Sequence, residues 1–259
     1  MQTSTDEAFE RAVAKFGCPY HPERGLRFEA NDKTLVCDEC RRRFPWEGRC
    51  FDLRPDDLRS NASKWVPGDP GWDDRHLWLI GANSKRRPDG TIDVASDVLD
   101  IGCGATPAGS FNLDAYVPEP VPPNFVLATA DLLPFKAKTF DCVVSRYVIE
   151  HVTDPVHFVR ECVRLARREI TIVTDNADWL GEIAFRIAGR GRIFHAEHVY
   201  KWSVEYLRNL LQRFDGIEAT VGLDTLSDTP IVRLVARAAR GPILGPLLHR
   251  DLVARIVVR

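Results

Sequence analysis

The chain has 259 residues, of which 44% are hydrophobic and 28% charged, and its formal net charge is −2. This length supports one large core, or one core with a small satellite domain. The nearly balanced charge gives no global attraction to nucleic acid or to an anionic membrane. No run reaches the roughly 18 uncharged apolar residues of a membrane span.

The start of the chain and its cysteines indicate a cellular setting. The opening "MQTSTDEAFERAV" has no apolar signal core, and seven cysteines are an odd number for a disulfide scaffold. We therefore expect a reducing, cytoplasmic location with free thiols or metal ligands.

The N-terminal part of the sequence divides into a helix and a cysteine-rich segment. Apolar residues at helical spacing predict an amphipathic helix over 6–16, within a first unit of residues 1–17. Residues 18–55 contain "CPYH" and "CDEC", two ligand pairs fifteen residues apart. This spacing predicts a structural, four-ligand Zn²⁺ site in a small zinc ribbon; the alternative is buried thiols beside a surface histidine. The ligands would be Cys18, His21, Cys37 and Cys40, with Cys50 left over for packing.

Residues 56–96 read as a connector, after which strand and helix patterns alternate as in an α/β domain over residues 97–240. Helices are predicted at 154–168 and 203–214, the latter with Ser203 as N-cap. Residues 241–259 are predicted to form a C-terminal amphipathic helix, begun by Pro246. The predicted strands cover 97–101, 111–114, 125–130, 140–146, 169–174, 217–223 and 231–238, the last two as an antiparallel hairpin.

A glycine turn follows the first of these strands, in "VLDIGCGATP". Asp100, Gly102 and Gly104 lie where an open α/β sheet binds ligands, at the carboxyl ends of its strands. The third glycine of a dinucleotide fingerprint is replaced by Pro107, which disfavours NAD. Only nine residues join the first two strands, fewer than the dozen or more of an ordinary parallel crossover, so the usual helix is missing or reduced to about one turn.

The order of "VLDIGCG", "NLDAY", "TADLLPF", "KTFDCVVSRYVIEHVTDP" and "ITIVT" resembles the successive motifs of class I S-adenosylmethionine (SAM)-dependent methyltransferases, of the type 11 kind. The resemblance covers about residues 97–175 closely. It implies a Rossmann-like, seven-stranded, mostly parallel sheet with an antiparallel last hairpin, here with an added N-terminal zinc ribbon. It also implies SAM as the cofactor.

Carried over residue by residue, the resemblance implies a set of cofactor-binding positions. Two glycines would admit the cofactor, Asp114 would bind the ribose hydroxyls, and Asp131 and Leu132 would lie beside the adenine. Ser145 and Arg146 would form the wall near the methionine carboxylate. The alternative for each acid is a turn cap or a surface residue. The full set is Asp100, Gly102, Gly104, Asp114, Asp131, Leu132, Ser145 and Arg146.

The acceptor side is less defined by the sequence. His151 and Tyr147 follow the fourth strand and are candidate catalytic residues, with His151 the better base by pKa but with a structural role as the alternative. The insert after the fifth strand offers basic and aromatic side chains for an anionic or aromatic substrate, and packing is an equal alternative. These side chains are Trp179, Phe185, Arg190, Arg192, His195, His198, Tyr200 and Trp202.

The function predicted is SAM-dependent methyl transfer to an unidentified acceptor, with a small molecule favoured. One alternative is a non-catalytic scaffold of the same fold, with a protein partner on the ribbon or the C-terminal helix. Another is an RNA methyltransferase using the basic clusters at 41–43 and 84–87, although residues 18–54 hold eight Lys/Arg against seven Asp/Glu. The amphipathic tail could also rest on a membrane surface, with packing on the protein the commoner fate.

Overall fold

A computed structural model of the chain describes residues 10, 12–55, 97–104, 107–181, 187, 198–224, 234 and 244–259. The connector 56–96 and residues 6–9 and 11 of the predicted N-terminal helix lie outside these residues. The strands are β1 Gly17–Cys18, β2 His21–Gly25, β3 Arg27–Glu29, β4 Thr34–Val36, β5 Arg43–Pro45, β6 Phe51–Asp52, β7 Val98–Ile101, β8 Phe111–Asp114, β9 Phe125–Leu127, β10 Phe140–Arg146, β11 Ala166–Asp175, β12 Ile217–Asp224 and β13 Asp251–Val258.

Eight of the strands form one sheet in the order β12-β13-β11-β10-β7-β8-β9-β6. All pairings from β11 to β6 are parallel, whereas β13 runs antiparallel to both β11 and β12. This confirms the predicted mostly parallel sheet with an antiparallel last hairpin. The eighth strand, β6, comes from the N-terminal segment and extends the sheet beyond β9.

Helix α1 spans Pro155–Leu165, α2 spans Val204–Leu211 and α3 spans Leu244–Leu248. Each begins within two residues of its predicted start. Asp154 caps α1 by accepting from the amides of Val156 and His157. Ser203 caps α2, as predicted, by accepting from the amide of Tyr206. The first turns are thereby satisfied without tertiary partners.

One continuous core lies against a single face of the sheet. Alternate strand residues such as Leu99, Leu113 and Ile172 are buried in it, together with Phe158 of α1 and Leu207 of α2. The two-residue period of the strands explains the alternation, because neighbouring side chains point to opposite faces. The same face is the one against which the N-terminal segment packs.

The N-terminal segment is part of this core. Phe16 stacks on Phe135 with ring centroids 5.6 Å apart, and the buried Cys18, Leu35 and Phe51 belong to the same cluster as the sheet residues. Besides the β6–β9 pairing, the Leu53 amide donates to the Leu127 carbonyl. The ribbon predicted as a satellite is therefore joined to the sheet by side chains and backbone alike.

The prediction of a C-terminal helix over 241–259 is wrong beyond α3. Residues 251–258 instead form β13, an interior strand of the sheet. Leu252, Ala254 and Ile256 enter the core and Val253 packs on the other face. A short apolar run fits a buried strand and a helix equally well by periodicity, and its β-branched residues favour the strand. This placement removes the tail as a docking helix or membrane-surface element.

The strand predicted at 231–238 lies outside the described residues except for Leu234, whose backbone is helical. The place expected for it, beside β12, is taken by β13. Among the helices that the structure describes, none is long and apolar enough to cross a membrane.

Candidate functional site

The connection between β7 and β8 is built without a helix in its described part, residues 102–104 and 107–110. Ser110 Oγ accepts from the Val98 amide and donates to the Val98 carbonyl, which fixes the returning chain beside the strand it left. The Asn112 side chain bonds both the amide and the carbonyl of Gly109. These side-chain hydrogen bonds hold the connection between two parallel strands, a position where a helix usually packs.

Glycine is required at two points of this turn. A Cβ on Gly109 would lie 2.2 Å from the Phe111 carbonyl oxygen, and one on Gly102, where φ is +70°, would lie 2.2 Å from Val148. Gly104 has a φ of +51° and nothing within 4 Å of where its Cβ would be. Among the described residues, open space therefore lies beside Gly104, whereas Val148 occupies the position beside Gly102.

Asp100 and Arg146 form a buried ion pair at the carboxyl ends of β7 and β10. Arg146 Nη2 donates to Asp100 Oδ2 at 2.9 Å, and the Ala108 amide donates to the same oxygen at 2.8 Å. Burial raises the pKa of Asp100, and the Arg146 guanidinium opposes this change. Asp100 Oδ1 and the neighbouring Ser145 Oγ are buried with no hydrogen-bond partner among the described residues, so the edge offers polar atoms to a ligand.

Asp114 lies at the end of β8, beside the glycine turn. Its Oδ2 accepts from the Gly104 amide at 2.8 Å, and its Oδ1 accepts from the Tyr116 amide at 3.1 Å. Burial raises the pKa of Asp114, whereas these amide bonds lower it. A carboxylate has about four acceptor positions, so these amide bonds leave acceptor capacity for a further donor.

Asp131 and Leu132 follow β9. Asp131 Oδ1 accepts from the amide and hydroxyl of Thr153, at 3.0 and 2.7 Å, which ties the segment after β9 to the start of α1. The Leu132 amide donates to the Thr129 carbonyl. Asp131 therefore holds the turn after β9 against the start of α1. Both bonds use Oδ1, so Oδ2 is left to accept from another donor, such as an amino group of a bound base.

A second polar group lies beyond Arg146, where β10 and β11 end. Tyr147, with φ +55°, donates its hydroxyl to Asp251 Oδ1 at 2.9 Å. Burial, together with the charge of Asp251, raises the pKa of this tyrosine well above its usual value. A tyrosine held in this way keeps its proton, which favours positioning over base catalysis for Tyr147.

His151 lies in the same region, edge-on to His198, with ring centroids 4.6 Å apart. Glu150, buried beside them, accepts at Oε2 from the Thr174 hydroxyl at 2.9 Å. Burial, reinforced by the charge of Asp175, raises the pKa of Glu150 to about 8. The sequence does not single out Glu150, four residues beyond the end of β10, or Asp175, the last residue of β11.

Only part of the predicted insert lies in the described residues. Tyr200 donates its hydroxyl to the Thr153 carbonyl at 3.1 Å and stacks on the buried Trp202. His198 approaches Asp175, with Nδ1 to Oδ2 at 3.7 Å, and Trp179 follows β11. The four remaining residues, Phe185, Arg190, Arg192 and His195, lie outside the described residues.

The four residues of the predicted metal site come together in the N-terminal segment. Their ligand atoms all lie within 4.8 Å of one another. Cys18 Sγ is 3.7 Å from Cys40 Sγ and 3.8 Å from His21 Nδ1, and Cys37 Sγ is 4.0 Å from the same nitrogen. Tetrahedral zinc with bonds of about 2.3 Å to sulfur and 2.0–2.1 Å to nitrogen separates its ligands by about 3.5–3.8 Å. The three thiols and one imidazole thus fit this metal.

Comparison with known proteins gives both a sequence match and a fold. Residues 109–173 match the family model described as a methyltransferase domain. No curated protein sequence matches the chain.

Among solved structures, a SAM-dependent methyltransferase from Thermotoga maritima is 17% identical with a TM-score of 0.51, over 71% of this chain and 94% of its own. Magnesium protoporphyrin IX methyltransferase from Synechocystis PCC 6803, with bound SAH, is 14% identical with a TM-score of 0.40, over 78% of this chain and 84% of its own. The first of these shows the fold.

The match over residues 109–173 and the fold both agree with the resemblance of the sequence motifs to SAM-dependent methyltransferases. The recognition made from the sequence motifs is confirmed.

Proposed function

We propose that this chain binds SAM at the carboxyl ends of β7 and β8 and transfers its methyl group to a small-molecule acceptor. The observation that carries the proposal is the placement of the Asp114 carboxylate against the Gly104 amide, inside the segment that matches the methyltransferase domain. A carboxylate and an open glycine together suit a ribose diol.

Some of these residues bind the cofactor, and others hold the binding surface in place. Asp114 binds the ribose, Oδ2 of Asp131 accepts from the adenine amino group, and Leu132 packs beside that ring. The buried Arg146–Asp100 pair and Ser145 hold the turn and the wall beside the amino-acid end. When bound, SAM supplies an already activated methyl group, so the protein has mainly to align the acceptor and exclude water.

The acceptor side is proposed at the ends of β10 and β11, around His151 and Tyr147. The basic run at 41–43 does not favour RNA as acceptor, because its charges are used within the N-terminal segment. Arg41 pairs with Asp38, Arg43 pairs with Glu29 and Asp32, and Arg42 lies over the Tyr20 ring. Such pairing leaves a weak phosphate footprint.

Calorimetry with SAM tests the proposal. Asp114→Ala removes the diol acceptor, and we expect at least a tenfold loss of affinity, the equivalent of about 1.4 kcal/mol. Asp215→Asn, an exposed acid after α2, is the matched control and should bind as the wild type does. Equal affinity in Asp114→Ala would contradict this site, and no binding by the wild-type protein would favour a non-catalytic scaffold.

We also propose that Cys18, His21, Cys37 and Cys40 hold one structural Zn²⁺. Four protein ligands leave no open position for a substrate. Metal analysis should find at least one zinc per chain in the wild type and one equivalent fewer in Cys37→Ala; less than half an equivalent in the wild type would refute the site. A reducing, cytoplasmic location agrees with the seven free cysteines and remains an expectation.

A further inference from the structure

A second group of metal-ligand side chains lies well away from the cysteines in sequence. One ligand atom each from Glu150, His151 and His198 lies within 4.8 Å of the other two. Atoms that share a metal at about 2.0–2.2 Å lie about 3–4 Å apart, so small side-chain rotations would bring these three onto one ion. Two imidazoles with one carboxylate form a donor set used by divalent transition metals.

The Glu150 carboxylate is prepared for a further ligand. Its side chain is 1% exposed, and Oε2 is fixed by the Thr174 hydroxyl. Oε1 is buried with no hydrogen-bond partner in the described part of the chain. A buried acceptor left without a partner is costly, and a metal ion would satisfy it.

The backbone brings His198 to this carboxylate. The carbonyl oxygen of Glu150 accepts from the amides of Val199 and Tyr200, at 2.8 and 3.1 Å. These bonds fasten the segment after the insert onto the turn that follows β10. His198 is thereby held beside Glu150 independently of any metal.

The surroundings also favour a cation. Glu150 and His198 line a small cavity of about 10 Å³, with Thr174, Asp175 and Lys201 among its other walls. This volume accommodates one water-sized body. Three buried carboxyl groups, those of Glu150, Asp175 and Asp251, lie at this end of the sheet near Arg250 and Lys201. Asp175, 3.7 Å from His198 Nδ1, is placed to orient that ring as acids commonly orient metal-binding histidines.

We propose that Glu150, His151 and His198 bind a divalent transition-metal ion at the carboxyl edge of β10, separate from the zinc of the N-terminal segment. The site does not depend on the methyl donor. The ion's remaining coordination positions would be open to a hydroxyl or amine of a bound molecule, unlike those of a four-ligand structural site.

Cobalt titration tests the proposal by visible absorption, on untagged protein dialysed until one zinc per chain remains. We expect one equivalent of Co²⁺ per chain, with weak d–d bands and no sulfur-to-cobalt charge-transfer band. Glu150→Gln and His198→Ala should each weaken Co²⁺ binding at least tenfold. His157→Ala, on α1 and outside the cluster, is the histidine control and should bind as the wild type does.

Zinc content and far-UV circular dichroism of each variant verify that it is folded. Glu150→Gln, which preserves side-chain size, serves where His198→Ala does not fold. Absence of d–d bands in the folded wild type would overturn the site, as would equal cobalt affinity in wild type and Glu150→Gln. A thiolate band would place the cobalt in the N-terminal segment and count equally against it.

Discussion

At the residue scale, the Arg146–Asp100 pair is the most consequential buried interaction at the proposed cofactor edge. Removing Arg146 leaves Asp100, which is fully buried, without a counter-charge. We expect Arg146→Met to lower the free energy of unfolding by about 3–5 kcal/mol, measured by urea denaturation. The double variant Asp100→Asn/Arg146→Met should lose less than Arg146→Met alone, because no charge remains buried. A larger loss in the double variant would show that the pair contributes otherwise.

The pH dependence of Arg146→Met follows from the same carboxyl. Burial raises the pKa of Asp100 above its ordinary value, and without Arg146 the rise is greater. The native state then retains a proton that the unfolded chain releases, so stability falls as pH rises through this window. We expect the deficit of Arg146→Met relative to wild type to be smaller at pH 5 than at pH 8. A deficit independent of pH would point to lost packing.

At the scale of elements, the helix-less connection depends on glycine at one position. In Gly109→Ala the new Cβ would meet backbone atoms of Phe111, Asp100 and Val98 at 2.2–2.8 Å, none of which can rotate away. We expect a loss of about 1–3 kcal/mol in unfolding free energy, with weaker SAM binding because the turn moves. Gly222→Ala on β12, with nothing within 4 Å of its Cβ, is the control and should be neutral or slightly stabilising. Equal effects of the two changes would refute the crowding argument.

Elements with strong local signals were predictable from the sequence. The strands β7, β8 and β10 fall within a residue of their predicted bounds, because each is a short stretch with apolar residues at strand spacing between turn signals. β6 was not predicted, since its two residues carry no periodic pattern, and β13 was misread because its apolar spacing fits a helix. The Cys/His spacing predicted the four-residue cluster, which is held by two local turns.

The partners of the site residues could not be predicted, because they depend on how distant segments meet. The residues around Asp131 do not predict its contact with Thr153. Those around Glu150 do not predict its contact with His198, 48 residues later in the chain. Asp251 was assigned to a helix, which hid its bond to Tyr147. Long-range contacts therefore set the chemistry of the proposed acceptor side, whereas the residues proposed to bind the cofactor lie in short sequence motifs.

For the whole molecule, the shared core predicts that zinc stabilises the sheet as well as the N-terminal segment. Cys18 and Cys37 are fully buried in the same cluster as Leu99 and Ile172. Zinc present at 1,000 times its Kd contributes about 4 kcal/mol, so chelation should lower Tm by roughly 8–16 °C. Hydrogen exchange should quicken in β7 and β10 together with residues 17–55.

Cys142→Ala, at a half-buried thiol outside the cluster, is the control and should retain zinc and the wild-type response. Faster exchange confined to residues 17–55 would show instead that the segment unfolds alone, in which case β6 would detach from β9 while the parallel sheet from β11 to β9 persisted.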